Sequence, residues 1–234
     1  MLLLVAAEGR ELAGVRRHCE RMERLRWPVE WAWRGELNGQ AVVLAADGSG
    51  GVRVVGAVRT ACEREKVAAV VSTGWCGAVA PGLAPGEILV ASRVEAEGGG
   101  EDYACARPRT EGPFRTGRLV TVNRVAGMAA EKARLGAGGA SAVDLEAVHV
   151  AAEAARRRLR FYCVRVVLDS AEESLGLDFE AAREDNGRLG RRQIVRAALE
   201  RPWRGVPELA RWARRSRAAA RALGKFLAEC SFDT

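Results

Sequence analysis

The sequence predicts an α/β domain in which a mainly parallel or mixed sheet is covered by helices. Three observations carry that reading. Short apolar runs rich in valine, leucine and alanine recur along the chain. Most of them lack strict apolar–polar alternation, as expected of strands covered on both faces. Amphipathic helical patterns lie between them, and strand–helix alternation of this kind places helices outside a central sheet. At 234 residues, one domain spanning 1–234 can bury most of its apolar surface without a disulfide or metal staple.

The elements follow in order. LLLVA (2–6) reads as the first strand. A signal peptide is the competing reading of MLLLVAAEGREL. No basic stretch precedes the apolar run, however, and Glu8, Arg10 and Glu11 stand where a cleavage region belongs, so a cytoplasmic location is expected. Leu12, Val15, Cys19, Met22 and Leu25 recur at three- and four-residue spacing, which predicts a helix. AVVLAA (41–46) is a strand, ADGSGG (46–51) a glycine-rich turn, and Val52, Val55, Val58 and Cys62 mark the next helix. AAVVST (68–73), EILVASRV (87–94), RLVTV (118–122) and FYCVRVVL (161–168) are further strands. The stretch 95–117, rich in glycine, proline and charge, reads as a long surface loop or flap. A helix is expected after Asp144 through Arg158, and a long closing helix from Val206 to about Cys230.

Composition narrows the function classes. Net charge is +7, but the arginines scatter over several helix faces without an aromatic-rich basic groove, so nucleic acid is not the expected partner. No run approaches the roughly 20 apolar residues of a membrane span. The closing helix has Arg214, Arg217, Arg221 and Lys225 beside a stripe of Leu209, Trp212, Ser216, Leu223 and Phe226. Contact with anionic lipid is one reading of such a helix; closing the core is the reading favoured, because the stripe is the ordinary globular one. None of the six cysteines stands at C-x-x-C spacing, and His18 and His149 are far apart. No metal site is predicted, and most of the cysteines read as small core thiols.

Five segments concentrate chemistry: AAEGREL with Glu11, ADGSGG, STGWCGAVAPGLAPGEILVA (72–91), AVDLEAVHVA (142–151) and VRVVLDSAEES (164–174). Glycine-rich turns after strands let backbone N–H groups approach a ligand, although GSGG alone is also plain turn geometry. Asp169 closes an apolar run at the carboxyl edge of a predicted interior strand, where open α/β sheets bind ligands; a helix N-cap is its bland alternative. Glu146, among apolar residues and small alanines, is a partly buried carboxylate or a first-turn acid complementing a helix dipole.

In this order and spacing the segments resemble the nucleoside phosphorylase/nucleosidase superfamily, and in particular its methylthioadenosine/S-adenosylhomocysteine nucleosidases. RGELNG (34–39) with ADGSGGVRV resembles the family's strand–turn–strand and Gly-x-Gly loop. STGWCGAVAPGLAPGEILVA is similar to its T-G-x-x-G…L-x-x-G-D/E-I-x-V-A signature. VDLEA resembles the V-E-M-E-A ribose motif, and RVVLDSAEES the R-x-x-S-D-x-A segment. The resemblance implies a three-layer α/β/α fold with a central mixed, partly barrelled sheet, a homodimer or larger homo-oligomer, and no metal or organic cofactor.

It implies roles as well. Asp169 protonates the departing purine, Glu146 holds the ribose hydroxyls with Leu145 beneath the sugar, and Glu11 orients or deprotonates the attacking water. Gly48 and Gly50 shape the loop near the ribose. Gly74 and Trp75 belong to the T-G-W-C-G segment, read as a loop with backbone donors, and Val125 falls where the family has a base-stacking aromatic. The chemistry is coherent: an oxocarbenium-like sugar is stabilised by nearby carboxylates, and a purine leaves only when an acid protonates it. The chain departs from the pattern where Leu168 replaces the serine before Asp169, where Val125 replaces the aromatic, and where Ser72 and Trp75 replace the arginine and serine of phosphate-using relatives.

Water is therefore the favoured nucleophile. Phosphate is the alternative co-substrate, with Arg124 or an arginine of another subunit in reach. An apolar nucleoside of the kind used by hopanoid-associated phosphorylases, and a non-catalytic nucleoside-binding protein on the same fold, are the remaining alternatives.

Overall fold

The structure is a computed structural model that describes residues 1–176 and 202–234. Its centre is a ten-stranded mixed sheet in the order β10-β6-β8-β9-β5-β1-β4-β3-β2, with β7 paired to β6 and a further pairing of β10 to β5. That last pairing closes β5, β10, β6, β8 and β9 into a five-stranded barrel from which the rest of the sheet extends.

The apolar strands lie where the sequence predicts. β1 (Leu2–Ala6) runs parallel to both β4 (Gln40–Ala46) and β5 (Ala69–Ala78), and β10 (Arg160–Asp169) runs parallel to β5 on its other side. Alternate residues of β1 divide between two cores. Leu3 and Val5 pack under α2 (Gly51–Arg64) and α4 (Ala147–Arg156) with Val54, Val58 and Val150. Leu2 and Leu4 face α1 (Ala13–Arg16) and the closing helix α5 (Pro202–Ala228), with Val15, Leu223 and Leu227. A strand buried on both faces has no polar side to show, hence the unbroken apolar runs. Gly14 is required where α1 meets α5: a Cβ there would lie 1.8 Å from the Ala220 carbonyl oxygen. The apolar stripe of α5 closes the core, with Leu223 and Phe226 buried, and no helix among the described residues is long and apolar enough to cross a membrane.

Three expectations are corrected. The helix over 12–25 ends after one turn, and β2 (Cys19–Arg24) pairs antiparallel with β3 (Trp31–Leu37). A bulge between Glu20 and Glu23, with Arg21 at φ 50°, explains the misreading. The irregularity puts Cys19 and Met22, three apart, against the same core, and so imitates helical spacing in a strand.

The 95–117 stretch is not a flap. β6 (Ile88–Ala96) continues through it, turns at 98–100 and pairs with β7 (Asp102–Ala104), and bridges tie Ala106 to Tyr162 and Arg109 to Ser231 before β8 (Arg115–Thr121). Third, the T-G-W-C-G segment is not a loop but lies inside β5, bent at Gly74 with φ 128°. The short β9 (Ala142–Asp144) was not foreseen. It pairs antiparallel with β5, Gly77 opposite Val143, and delivers Leu145 and Glu146 to the same edge.

Candidate active site

Five chain segments converge there: the turn after β1, the glycine turn after β4, the bent part of β5, the end of β9 and the end of β10. They enclose a cavity lined by Glu8, Glu11, Ser49, Trp75, Leu145, Glu146 and Asp169, with apolar walls from Val122, Val125, Ala126, Leu168 and Leu175. Glu11, Glu146 and Asp169, predicted from segments far apart in sequence, thus share one cavity, each at most 9% exposed. Leu145, Trp75 and Val125 line it too. Gly48, Gly50 and Gly74 are not among its lining residues, although their neighbours Ser49 and Trp75 are.

Glu11 is fixed by two backbone donors. Its Oε1 accepts the Glu8 N–H and its Oε2 the Trp75 N–H, each at 2.9 Å. Gly74 makes the second bond possible: a Cβ at this positive φ would come 2.1 Å from Oε2. Burial, then the charges of Glu8 and Glu146, raise the Glu11 pKa from 4.5 to about 8. Glu146 opens α4 but does not cap it. Its Oε1 instead accepts the Gly50 N–H at 3.0 Å, while Gly48 N–H bonds Ala7 O at 2.8 Å. Both glycines have positive φ, 108° and 99°, and the turn they form carries Ser49 into the cavity wall. The first N–H of α4, that of Ala147, is met by Asp144 Oδ2 at 2.9 Å. Asp144 also accepts from Arg165 at 2.6 Å and from Thr121 Oγ1 at 2.6 Å, and Arg165 reaches Ser72 Oγ at 2.9 Å. This buried network fixes the segment that presents Glu146.

Asp169 is held differently. Lys132, on α3 (Ala129–Ala137) and 0% exposed, donates from Nζ to Asp169 Oδ2, to Ser170 O at 2.9 Å and to Glu173 O at 2.8 Å. Burial raises the Asp169 pKa, with the lysine opposing it. The following turn is clamped on both sides. Ser174 Oγ accepts the Ala129 N–H at 3.1 Å, and Arg215 of α5 donates to both oxygens of Glu173, at 2.7 and 2.6 Å. No helix begins at Asp169 within the described residues, so it is not an N-cap.

Sequence reasoning missed Lys132, Ser49, Glu8 and Trp212. Trp212 was assigned to the core stripe, yet it lines the cavity, its ring edge-on to Trp75 at 5.7 Å. Arg124 does not line the cavity; it pairs with Glu131 at 2.5 Å. Among the described lining residues there is no arginine, lysine or histidine, and the described residues contain no cluster of His, Cys, Asp and Glu able to hold a metal ion.

Comparison with known proteins bears on the fold. The family model described as Phosphorylase superfamily matches residues 3–115. No curated protein matches. Among solved structures, the 5′-methylthioadenosine/S-adenosylhomocysteine nucleosidase of Neisseria meningitidis, in complex with methylthio-immucillin-A, superposes with a TM-score of 0.72 at 18% identity, covering 97% of this chain and 96% of that one. The corresponding nucleosidase of S. pneumoniae, with a transition-state inhibitor, gives 0.71 at 16% identity, covering 97% and 98%. Futalosine hydrolase of Helicobacter pylori gives 0.70 at 13%, covering 97% and 94%. At these identities the likeness is one of fold.

Proposed function

We propose that this chain, whose residues 3–115 match the phosphorylase superfamily model, hydrolyses the N-glycosidic bond of a purine nucleoside or 5′-modified adenosine. The observation that carries the reading is the convergence of Glu11, Glu146 and Asp169 on one largely apolar cavity at the sheet edge. The base lies towards Asp169, between Val122, Val125 and Ala126. The ribose lies over Leu145, with its hydroxyls on Glu146.

As the glycosidic bond breaks, Asp169 gives its proton to N7 of the purine. Burial raises the Asp169 pKa and so makes its protonated form accessible, and Lys132 stabilises the carboxylate left when the proton departs. Glu11, in its ionised form, takes a proton from water as the water oxygen bonds to the sugar carbon. Free base and free sugar result. The carboxylates beside the ribose stabilise its positive charge in a site of low polarity. The absence of a cationic side chain from the described cavity wall favours water over phosphate, which needs such donors.

The test is base release from methylthioadenosine, S-adenosylhomocysteine, adenosine and inosine, with and without phosphate. Phosphate-independent release of free sugar, reduced by about 10²–10⁴-fold in Asp169→Asn, is expected. Release that requires phosphate and yields a sugar 1-phosphate overturns the hydrolytic reading. No release, with nucleoside binding intact, replaces it with a binding protein.

A further inference from the structure

A second concavity begins where the first ends. It runs between α1 and α5 and shares Trp75 and Trp212 with the cavity. Its remaining wall includes Arg10 and Arg17 on one side and Arg217 and Arg221 on the other, with no carboxylate among the described lining residues. Arg17, Arg217 and Arg221 are exposed and make no ion pair among the described residues. Outside the groove, Arg93, Arg109, Arg118 and Arg215 each face a carboxylate. Unpaired arginines gathered on one groove raise the local potential for anions, and a concave site concentrates it.

The boundary between the two spaces is also built. The Arg10 guanidinium lies 5.0 Å from the Trp75 ring centroid and 5.1 Å from that of Trp212, which fixes its charge at the junction. Glu8, its ion-pair partner at 2.5 Å, lines the cavity. The Trp75 indole N–H at the same junction is buried without a hydrogen-bond acceptor among the described residues.

We propose that the groove between α1 and α5 is an oxyanion site, built by Arg10, Arg17, Arg217 and Arg221, for a phosphate or carboxylate group of a small molecule. The group arrives either as the far end of the nucleoside's 5′ substituent, passing the Trp75–Trp212 edge, or as a free anion. Guanidinium groups suit both, because their planar donor forks match two oxygens of either. The substituent route rests on the nucleoside reading above; the free-anion route does not.

Calorimetric titration with three probes separates them: a 5′-carboxybutylthioadenosine, its primary amide, and inorganic phosphate alone. The proteins are wild type, Arg217→Ser/Arg221→Ser, and Arg17→Ser from the opposite wall. For the substituent route, the acid binds about tenfold more tightly than the amide at low salt, and the ratio falls towards one in both variants. An acid-to-amide ratio near one in wild type overturns that route. Inorganic phosphate that binds wild type, and binds each variant about tenfold more weakly, then supports the free-anion route. Equal phosphate binding by all three proteins, or none by wild type, together with an unchanged acid-to-amide ratio, overturns the site. Loss of both nucleoside probes from wild type counts against the nucleoside reading, while the phosphate titration still reads the groove.

Discussion

The two ends of the cavity hold buried carboxylates by opposite means. At one end Asp169 has a fully buried lysine against one oxygen, and that lysine also bonds two carbonyls. At the other end Glu11 has two backbone N–H groups and, close by, the like charges of Glu8 and Glu146. Both pKa values are raised by burial, but only at Asp169 does a neighbouring cation pull back. The difference matters for mechanism. An acid that gives up its proton benefits from a cation awaiting the anion. A base that must take a proton benefits from surroundings that make its anion costly. The same contrast says how each end fails when altered.

The largest effect is expected at the lysine. Lys132→Met leaves Asp169 without its cation, and Asp169→Asn leaves a buried ammonium without its anion; each is expected to cost about 3–5 kcal/mol of unfolding free energy. The double variant recovers most of that loss, because neither charge is stranded. Denaturant unfolding of the four proteins measures the coupling. Near-additive losses would mean that Lys132 serves the Ser170 and Glu173 carbonyls and not Asp169.

Glu11→Gln tests the other end through pH. The folded-state pKa of Glu11 lies above its unfolded value, so its contribution is complete below about 4.5 and is lost as pH climbs through about 8. At roughly 1.4 kcal/mol per unit, the wild type loses a few kcal/mol over that window relative to Glu11→Gln. Unfolding measured from pH 5 to pH 8.5 checks this: a wild-type curve parallel to that of the variant would refute it. The proposed base is ionised only above the same pKa, so kcat/KM rises with pH towards about 8.

How much of this contrast the sequence shows depends on whether its partners are local. Glu11, Glu146 and Asp169 were legible because each terminates an apolar strand or opens a helix, and a motif surrounds it. Lys132 was not. In AAEKARLG it reads as an ordinary helix residue, and its burial comes from a contact 37 positions away. Closure of the barrel by β10 and β5 was likewise invisible to periodicity, because pairing partners leave no mark in either strand. The bulged β2 imitated a helix because its irregularity changes the spacing on which the reading depends.

Gly74→Ala sharpens the comparison on the Glu11 side alone. The new methyl group meets Glu11 Oε2 and sits at φ 128°, so the carboxylate must leave the Trp75 N–H or β5 must shift. A loss of about 2 kcal/mol of stability is expected, with kcat reduced more than KM is raised. Unfolding cooperativity at the Lys132 end, read by hydrogen exchange at Ser170 and Glu173, remains as in wild type. Equal loss of protection at both ends would show that the two carboxylates belong to one unit.

The smallest effect concerns the wall that joins cavity and groove. Trp75 and Trp212 meet edge-on at 5.7 Å under the Arg10 guanidinium, which makes the last turns of the site depend on α5. A double-mutant cycle with Trp75→Leu and Trp212→Leu is expected to give a coupling of about 1 kcal/mol in stability. Its sign for nucleoside binding is the more informative part. If Trp212 acts through Trp75 on Glu11, whose Oε2 bonds the Trp75 N–H, then Trp212→Leu shifts the pH dependence of kcat/KM that Glu11 governs and leaves the Asp169 limb in place. If Trp212 is packing alone, the profile keeps its shape and only its height falls.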